Sequence, residues 1–395
     1  MGSLLSSSAN MDCAERDIGR TSSFSSILSI HPIYDGIYSR LSPGARIRFG
    51  RTCRLAYNSV QDFHSRAFNI NHHLRRFFDD PIAFRNMQAR LAMLISGSNA
   101  LQFLDSTSYP GSDLDLYVWE DSAKEVGHWL MEHEGYSSAP SKRKANEYAS
   151  ISIFRFDNFT KDGPDGPLTV QVVATLISPL EAILNFHSTC VMNCIAFDAA
   201  YSLYPQATFE QRVSLCIASR NDRRAEFKKY RNRGWKLILI TPPQEKKSRG
   251  APFHGDVIRW VHDHHSWVVP LDTSELQPRP RLSPTSEYFA WDPVIYNSWK
   301  LVERLIPKIM GSFHMTSGAP IGYRARGSVM RYEYLVMDSG LYQTIASFLE
   351  HQIHKRSNAE RRSSAKQKEL STWCDATIGR LIDAHRAKEI QNQGN

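Results

Sequence analysis

Apolar and polar positions along the chain change period several times, and the two periods predict strands and helices in alternation. Three segments show the alternating pattern, or the short apolar run, that is typical of strands: 114–118, 148–156 and 168–177. Between the first two lies segment 120–135, where Val126 and Leu130 share a helical stripe and Gly135 is a typical helix stop. The mixture of strands and helices predicts an α+β fold.

The composition and the spacing of apolar residues change at three places and divide the chain into four segments. Segment 1–25 is rich in serine and predicts a disordered leader, whereas 26–80 carries short helical stretches. Segment 81–245 holds the alternating strands and helices, and 246–395 is predicted to be a mostly helical C-terminal region. We therefore expect a central α+β core with helical regions on either side of it in the chain.

Composition narrows the class of protein. The 395 residues carry 48 lysines and arginines against 40 aspartates and glutamates, a formal net charge of +8. This balance allows a nucleotide or nucleic acid as partner, although it does not require one. No apolar run approaches the roughly 20 residues of a membrane span, and six cysteines without a CxxC pair indicate a reducing compartment. These features predict an intracellular protein, cytoplasmic or nuclear, with no transmembrane segment.

The segment ISGSNALQFLDSTSYPGSDLDLYV, residues 95–118, carries the candidate chemistry. Alternate residues of a strand face the same side, so Asp113 and Asp115 are expected to point together and to need a divalent cation between them. Oxygen ligands of this kind suit Mg²⁺, which shares substrate phosphates. Gly97 allows a phosphate to approach the backbone, and Ser98 adds a hydroxyl at the start of the next helix.

An alternative interpretation of the same segment needs no ligand. The sequence YPGSD is typical of a turn, in which Ser112 and Asp113 would serve only local hydrogen bonds. Asp115 would then be an exposed strand residue, and the two carboxylates would have no common function.

A Gly-Ser pair, a short helix and then Ser-Asp-x-Asp at the start of a strand resemble the polymerase-beta-like nucleotidyltransferase superfamily, from about residue 91 to residue 240. The resemblance implies a nucleotidyltransferase-like mixed sheet flanked by helices. It also implies that Gly97 and Ser98 hold the triphosphate of an NTP, while Asp113 and Asp115 hold metal ions and form the catalytic pair. The implied reaction is the transfer of NMP to an acceptor hydroxyl.

The superfamily usually has a third carboxylate on a neighbouring strand, and this chain departs from that pattern. The corresponding position on the strand LTVQVVAT is Gln171, whose amide oxygen ligates a metal but carries no charge and is no base. Carboxylates close in sequence that would substitute for it are Glu147, Asp157 and Asp165.

Two further groups of polar residues follow the motif. Segments 208–220 and 223–235 are predicted to be helices, and by the resemblance Lys228 and Lys229 in the second reach the triphosphate. A solvated helix face explains these lysines equally well. His187 and Asn193 lie in an apolar setting, where they either line a pocket with Gln171 or form a buried hydrogen-bonded cluster.

The segment IYDGIYSRLSPGARIRFGRTCRLAYNSV, within residues 31–60, resembles an F-box. Its Leu-Ser-Pro break and its Thr-Cys-Arg lie between apolar helical stretches, in which Ile33, Ile37 and Leu41 share one face. The resemblance implies docking to the adaptor subunit of a cullin ubiquitin ligase. A simple helical cap on the following domain is the alternative.

Two functions of different classes remain open at this point. The first is an enzyme that binds NTP with Mg²⁺ and transfers NMP to an acceptor hydroxyl, which the Gly-Ser pair and the two aspartates favour. The second is a non-catalytic, F-box-like substrate receptor with a degenerate nucleotidyltransferase domain, which Gln171 favours.

Overall fold

A computed structural model of the chain describes residues 25–140, 153–164, 166–217, 224–241, 251–255, 257–277, 292–307, 313–318, 322–357 and 364–393. Most of the serine-rich leader, together with Glu147 and Asp165, lies outside these residues. The chain divides into two compact units, residues 1–69 and residues 70–395. Each unit is taken by itself below.

Among the described residues of the first unit, three helices follow residue 30: α1 (His31–Tyr38), α2 (Pro43–Gly50) and α3 (Arg54–Ala67). Helix α2 begins where the sequence signals it, because Ser42 accepts a hydrogen bond from the amide of Ala45 and Pro43 occupies the first helical position. Aromatic residues fill the interior, and the hydroxyl of the fully buried Tyr38 lies 2.6 Å from Ser59 Oγ.

Helix α1 buries its tyrosines and exposes its isoleucines. Tyr34 and Tyr38 pack in the interior of the unit, whereas Ile33 and Ile37 are 44% and 43% exposed. The spacing of Ile33 and Ile37 predicts that they share one face, but that face points to solvent because the larger aromatic rings fill the interior.

The second unit contains eight α-helices among its described residues. They are α4 (Ile70–Leu74), α5 (Pro81–Leu91), α6 (Gly97–Asp105), α7 (Glu120–Glu132), α8 (Pro179–Leu184), α9 (Arg224–Asn232), α10 (Ser339–Ser357) and α11 (Ser364–Gln393). Short turns of other helical types occupy Thr189–Val191, Gln206–Glu210 and Pro293–Tyr296.

An eight-stranded mixed sheet forms the centre of this unit. Its strands are β1 (Leu94–Ser96), β2 (Leu114–Trp119), β3 (Ser137–Ala139), β4 (Ile153–Gly163), β5 (Gly166–Thr175), β6 (Asn193–Ile195), β7 (Ala199–Ser202) and β11 (Trp267–Pro270). Their spatial order is β11-β7-β6-β1-β2-β5-β4-β3, in which β2 and β5 run parallel and the other neighbours run antiparallel. The predicted α+β class, with a mixed sheet and flanking helices, is confirmed.

Shorter strands pair outside this sheet. They are β8 (Val213–Leu215), β9 (Lys236–Ile238), β10 (Arg259–Trp260), β12 (Ser298–Trp299), β13 (Val302–Pro307), β14 (Phe313–Gly318), β15 (Tyr323–Ala325) and β16 (Tyr334–Val336). Strand β8 pairs in parallel with β9, so the helix predicted for 208–220 is wrong. The tertiary pairing with β9 overrides a short local pattern there.

The C-terminal segment 246–395 contains strands as well as the helices expected from its sequence. Strand β11 of this segment pairs with β7 and so extends the central sheet. Helix α11 contributes the fully buried Asp375, which accepts hydrogen bonds from the amide of Arg331 at 2.9 Å and from the hydroxyl of Tyr334 at 3.1 Å. Burial raises the pKa of Asp375 to about 7.

No helix in the part of the chain that the structure describes is long and apolar enough to cross a membrane.

Candidate functional site

A row of four polar side chains crosses the centre of the sheet. Ser96 in β1 pairs with Asp115 in β2, Asp115 pairs with Gln171 in β5, and Gln171 pairs with Asn158 in β4. Residues opposite each other on neighbouring strands share one face, so these side chains lie side by side. The other face of β2 is apolar, because Leu114, Leu116 and Val118 are completely buried. The alternation of β2 thus turns Asp115 towards the polar face.

Gly97 lies directly against the carboxylate of Asp115. Its φ of +69° belongs to the left-handed region, which glycine adopts without strain. A Cβ at this position would lie only 2.3 Å from Asp115 Oδ2. Helix α6 begins at Gly97, and the free amides of a helix N-terminus favour negative charge. The Gly-Ser turn therefore brings backbone and carboxylate together, and a larger residue at position 97 would displace the carboxylate of Asp115.

Buried apolar contacts and one ion pair hold α6 in place. Leu101 and Leu104 are completely buried on its inner face. At its C-terminal end, Asp105 receives two hydrogen bonds from Arg212, at 2.8 and 2.7 Å. A carboxylate at a helix C-terminus is unfavourable, and the guanidinium of Arg212 offsets this charge.

The loop that leads from α6 to the aspartates is attached to α6 by Gln102, which is 3% exposed. Its amide nitrogen donates to the carbonyl of Ser98 at 3.0 Å and to Ser112 Oγ at 2.8 Å. Its amide oxygen accepts a hydrogen bond from the backbone amide of Tyr109 at 2.6 Å. Gln102 thus connects the Gly-Ser turn to the residue that immediately precedes Asp113.

A cleft with an enclosed volume of about 90 Å³ opens over this polar row. Its polar end contains Gly97, Ser98, Asp115 and Gln171, and its apolar end contains Tyr117, Phe156 and Phe186 among other residues. The complete lining is Gly97, Ser98, Asp115, Tyr117, Ile153, Phe156, Gln171, Ala182, Asn185, Phe186, His187, Val191, Glu226, Lys229 and Tyr230. The enclosed part is smaller than a typical pocket for a drug-sized ligand, so it admits one small group of a ligand whose remainder lies at the open mouth.

Helix α9 forms one wall of the cleft through Glu226, Lys229 and Tyr230, which share a face at helical spacing. Tyr230 is 5% exposed, and burial raises its pKa well above the ordinary value. The negative charge of Asp115 adds to that rise, which places Tyr230 within electrostatic range of the polar row. The second predicted helix of the pair 208–220 and 223–235 therefore exists and meets the sheet at the candidate site.

Six of the residues singled out from the sequence line the cleft: Gly97, Ser98, Asp115, Gln171, His187 and Lys229. The ring of His187 lies 5.4 Å from that of Tyr230 between centroids, and its Nδ1 lies 2.7 Å from Ser188 Oγ.

Three others do not line it. Asp113 immediately precedes β2 and is half-buried, and Lys228 is exposed on α9. Asn193 is completely buried in β6, where its amide donates to the carbonyl of Cys190 at 2.8 Å. The sequence pattern alone does not separate such a buried amide from one that lines a pocket.

The third carboxylate is absent from β5, because Gln171 occupies the position in register with Asp115. Its amide nitrogen donates to Asn158 Oδ1 at 2.9 Å, which leaves its amide oxygen as the atom able to ligate a metal. Asp157 is next to Asn158 on β4 and therefore faces the other side, where it pairs with Arg155 at 2.8 Å. The second carboxylate in the cleft is Glu226, which comes from a helix.

The donors at the polar end are of the kind that Mg²⁺ prefers. They are the carboxylate of Asp115, the amide oxygen of Gln171 and the hydroxyl of Ser98. No three His, Cys, Asp or Glu side chains converge on a metal position anywhere in the described residues. The set therefore fits a magnesium ion that takes part of its ligands from phosphate and water, rather than a closed protein site.

The sequence pattern does not indicate that three further residues belong to the site. Gln102 is inconspicuous inside an amphipathic helix, and Glu226 and Tyr230 are separated from Asp115 by more than 100 residues. A weak signal exists for Gln102, because a polar residue on the buried face of a helix usually has hydrogen-bond partners.

Comparisons of the chain with protein-family models, with curated proteins and with solved structures give no match.

Proposed function

We propose that the cleft binds a nucleoside triphosphate together with Mg²⁺, in the manner of a polymerase-beta-like nucleotidyltransferase. The observation that carries this proposal is the contact between Gly97 and the carboxylate of Asp115 at the N-terminus of α6. Backbone donors for a phosphate and a carboxylate for a metal are thereby held at one point, as binding of a metal–phosphate complex requires.

Three residues of the polar end, together with Asp113 just outside the cleft, have a task in this proposal. The backbone of Gly97 and the hydroxyl of Ser98 hold phosphate oxygens, and Asp115, with Asp113 from the start of β2, holds the metal. Bound Mg²⁺ supplies neutralisation of the phosphate charge. Lys229 adds positive charge on the opposite wall of the cleft. The aromatic residues Tyr117 and Phe186, whose rings meet edge to face at 5.5 Å, offer a surface for a nucleobase.

Transfer of NMP to an acceptor hydroxyl is the activity that the resemblance implies, and Gln171 weakens the case for it. An amide takes no proton from the attacking hydroxyl, so a transfer would depend on another group for that step. Binding of the nucleotide does not depend on that step.

Titration calorimetry with ATP tests the proposal in the presence of Mg²⁺ and in the presence of EDTA. We expect Mg²⁺-dependent binding by the wild type, and a loss of at least about tenfold in affinity for Asp115→Asn and Asp113→Ala. Asp157→Ala is the matched control, since it removes a carboxylate from the opposite face of the same sheet. A folded wild type that does not bind ATP with Mg²⁺ would overturn the proposal. Incorporation of labelled nucleotide into an acceptor would separate an enzyme from a binding protein.

A second function, a non-catalytic F-box-like substrate receptor, is favoured by two observations. In the first unit, Ile33, Ile37 and Ile47 are exposed on helices α1 and α2. Large apolar side chains exposed together are typical of a protein-binding surface. In the second unit, the amide pair Gln171–Asn158 replaces the charge of a third carboxylate. A pull-down of the full chain with the cullin-ligase adaptor tests this function, and absence of adaptor binding by folded protein would remove it.

A further inference from the structure

The side chain of Gln102 makes three hydrogen bonds that span both halves of the candidate motif. One NH₂ group uses its two hydrogens on Ser98 and Ser112, while the amide oxygen holds the amide of Tyr109. A carboxamide of this length supplies two donors and an acceptor at once, and glutamate supplies only acceptors. The three bonds are therefore specific to glutamine at this position.

These bonds fix the backbone on the N-terminal side of Asp113. Ser112, which immediately precedes it, is held by Gln102. Leu114, which immediately follows it, belongs to β2 and pairs with Val170 of β5. The main chain at Asp113 is thus held on both sides, and only its side chain has freedom to turn towards a ligand.

The loop between α6 and Ser112 has little other attachment to the interior. Ser106, Thr107, Ser108, Pro110 and Gly111 are exposed. Tyr109 is the exception, because its ring is covered by the guanidinium of Arg233 at 3.6 Å from the centroid. Without the side chain of Gln102, the position of Ser112 relative to Ser98 would depend on this ring contact and on backbone hydrogen bonds of the exposed loop, such as the one that Ser112 donates to the carbonyl of Tyr109 at 3.2 Å.

We propose that Gln102 is a positioning residue that sets Asp113 relative to the phosphate-binding turn and so couples metal binding to nucleotide binding. This inference rests on the proposed function, because it concerns the NTP and Mg²⁺ of that site. Gln102 itself does not line the cleft. It acts through Ser98 on the phosphate side and through Ser112 on the metal side, and the coupling arises because one side chain holds both.

A double-mutant cycle in calorimetry with ATP and Mg²⁺ tests the inference. We expect Gln102→Leu to weaken Mg²⁺-dependent ATP binding by about tenfold in the wild-type background. In the Asp113→Ala background the same change should have almost no effect, because the carboxylate that it positions is gone. Binding of ATP in EDTA should be the same for Gln102→Leu and the wild type.

The matched control is Gln88→Leu in α5, which also removes a buried glutamine amide that donates to a backbone carbonyl, that of Ile195 at 2.9 Å. It should lower thermal stability in a similar way but leave Mg²⁺-dependent binding unchanged. Two further variants keep the inference testable if Gln102→Leu does not fold. Gln102→Glu removes the donors of the amide, and Ser112→Ala removes the hydroxyl that accepts from it, each with little change in volume. Both should weaken the Mg²⁺-dependent binding.

The outcomes separate this inference from the proposed function. If the folded wild type does not bind ATP with Mg²⁺, the proposed function and the inference fall together. If it binds, but Gln102→Leu loses the same factor with and without Asp113, the glutamine has only a structural role and the inference alone falls. Equal binding by the Gln102 variants and Gln88→Leu would also overturn it.

Discussion

The amide nitrogen of Gln171 donates a hydrogen bond to Asn158 Oδ1 at 2.9 Å, in the same row of the sheet that contains Asp115. Two neutral amides thus stand beside one carboxylate. The arrangement removes the repulsion that a second carboxylate would cause when no metal is bound. Under the proposed function it also removes a ligand charge, so the binding of Mg²⁺ would depend more strongly on the phosphates of the nucleotide.

Replacement of Gln171 by aspartate should make the stability of the protein dependent on divalent cations. Without a metal, the new carboxylate lies beside Asp115 in a poorly solvated cleft, and we expect a loss of about 1–3 kcal/mol in the free energy of unfolding. Mg²⁺ should restore most of that loss by neutralising the pair. Thermal melts in EDTA and in millimolar Mg²⁺ provide the measurement. Gln171→Asn is the control, because asparagine has the size of aspartate but no charge. It should lose the same amount of stability in both buffers.

Replacement of Gly97 by alanine should cost more stability than its backbone conformation alone explains, because it also displaces the carboxylate of Asp115. A left-handed alanine costs about 1–2 kcal/mol, and its Cβ would also be pushed against Asp115 Oδ2. Gly135→Ala is a matched control, because Gly135 has a φ of +70° and nothing lies within 4 Å of its added Cβ. Urea unfolding of both variants isolates the cost of the contact with Asp115. Equal losses in the two variants would show that Gly97 is required only for its φ angle.

The contribution of Asp375 to the free energy of unfolding should fall as the pH rises from about 4 to about 7. Its pKa is raised to about 7 by burial, whereas the pKa of an unfolded aspartate is about 3.9. The folded state therefore binds the additional proton in this window, and deprotonation at higher pH works against folding. Urea unfolding of the wild type and of Asp375→Asn between pH 4 and pH 7.5 tests this. The free energy of unfolding of Asp375→Asn, relative to that of the wild type, should increase as the pH rises. A difference that does not change with pH would contradict the assignment.

Substitution of the exposed isoleucines of α1 should separate adaptor binding from folding of the first unit. Ile33→Asp with Ile37→Asp removes apolar surface that is already in solvent, so we expect less than about 0.5 kcal/mol change in stability for each. Binding of the cullin-ligase adaptor in a pull-down should be lost. Tyr38→Ala is the contrasting variant, since it empties a buried site and should unfold the unit. Retention of the adaptor by the double aspartate variant would place its binding elsewhere.

The sequence predicts those parts of the site that are close together in the chain. The Gly-Ser turn, the helix after it and the strand with Asp115 follow from local chemistry, and alternation alone places Leu114 and Leu116 in the core. The segment containing Gln171 is recognisable as a strand because its apolar run is short and rich in β-branched residues. The structure adds that this strand is the direct neighbour of β2, in a register that sets Gln171 opposite Asp115.

What the sequence does not predict depends on long-range packing. The wall formed by Glu226 and Tyr230 depends on the placement of α9 over the sheet, which no local pattern specifies. The prediction of a helix at 208–220 was wrong for the same reason. Segment Val213–Leu215 forms a strand because it pairs with Lys236–Ile238, which lies about 20 residues further along the chain. The exposure of Ile33 and Ile37 was also not predictable, since the spacing of apolar residues defines a shared face but not the direction in which it points.

The pairing of Ile95 with Ile195 has a consequence for how the protein forms during its synthesis. The strand that carries the Gly-Ser turn lies between β2 and β6, and β6 is translated a hundred residues after it. Closing so large a loop is slow, and one edge of β1 remains unpaired until β6 has left the ribosome. An incomplete chain that ends before residue 193 would expose that edge, together with the apolar residues around it, to other nascent chains. The cleft, whose lining extends to Tyr230, is thus expected to assemble only after that residue has been synthesised.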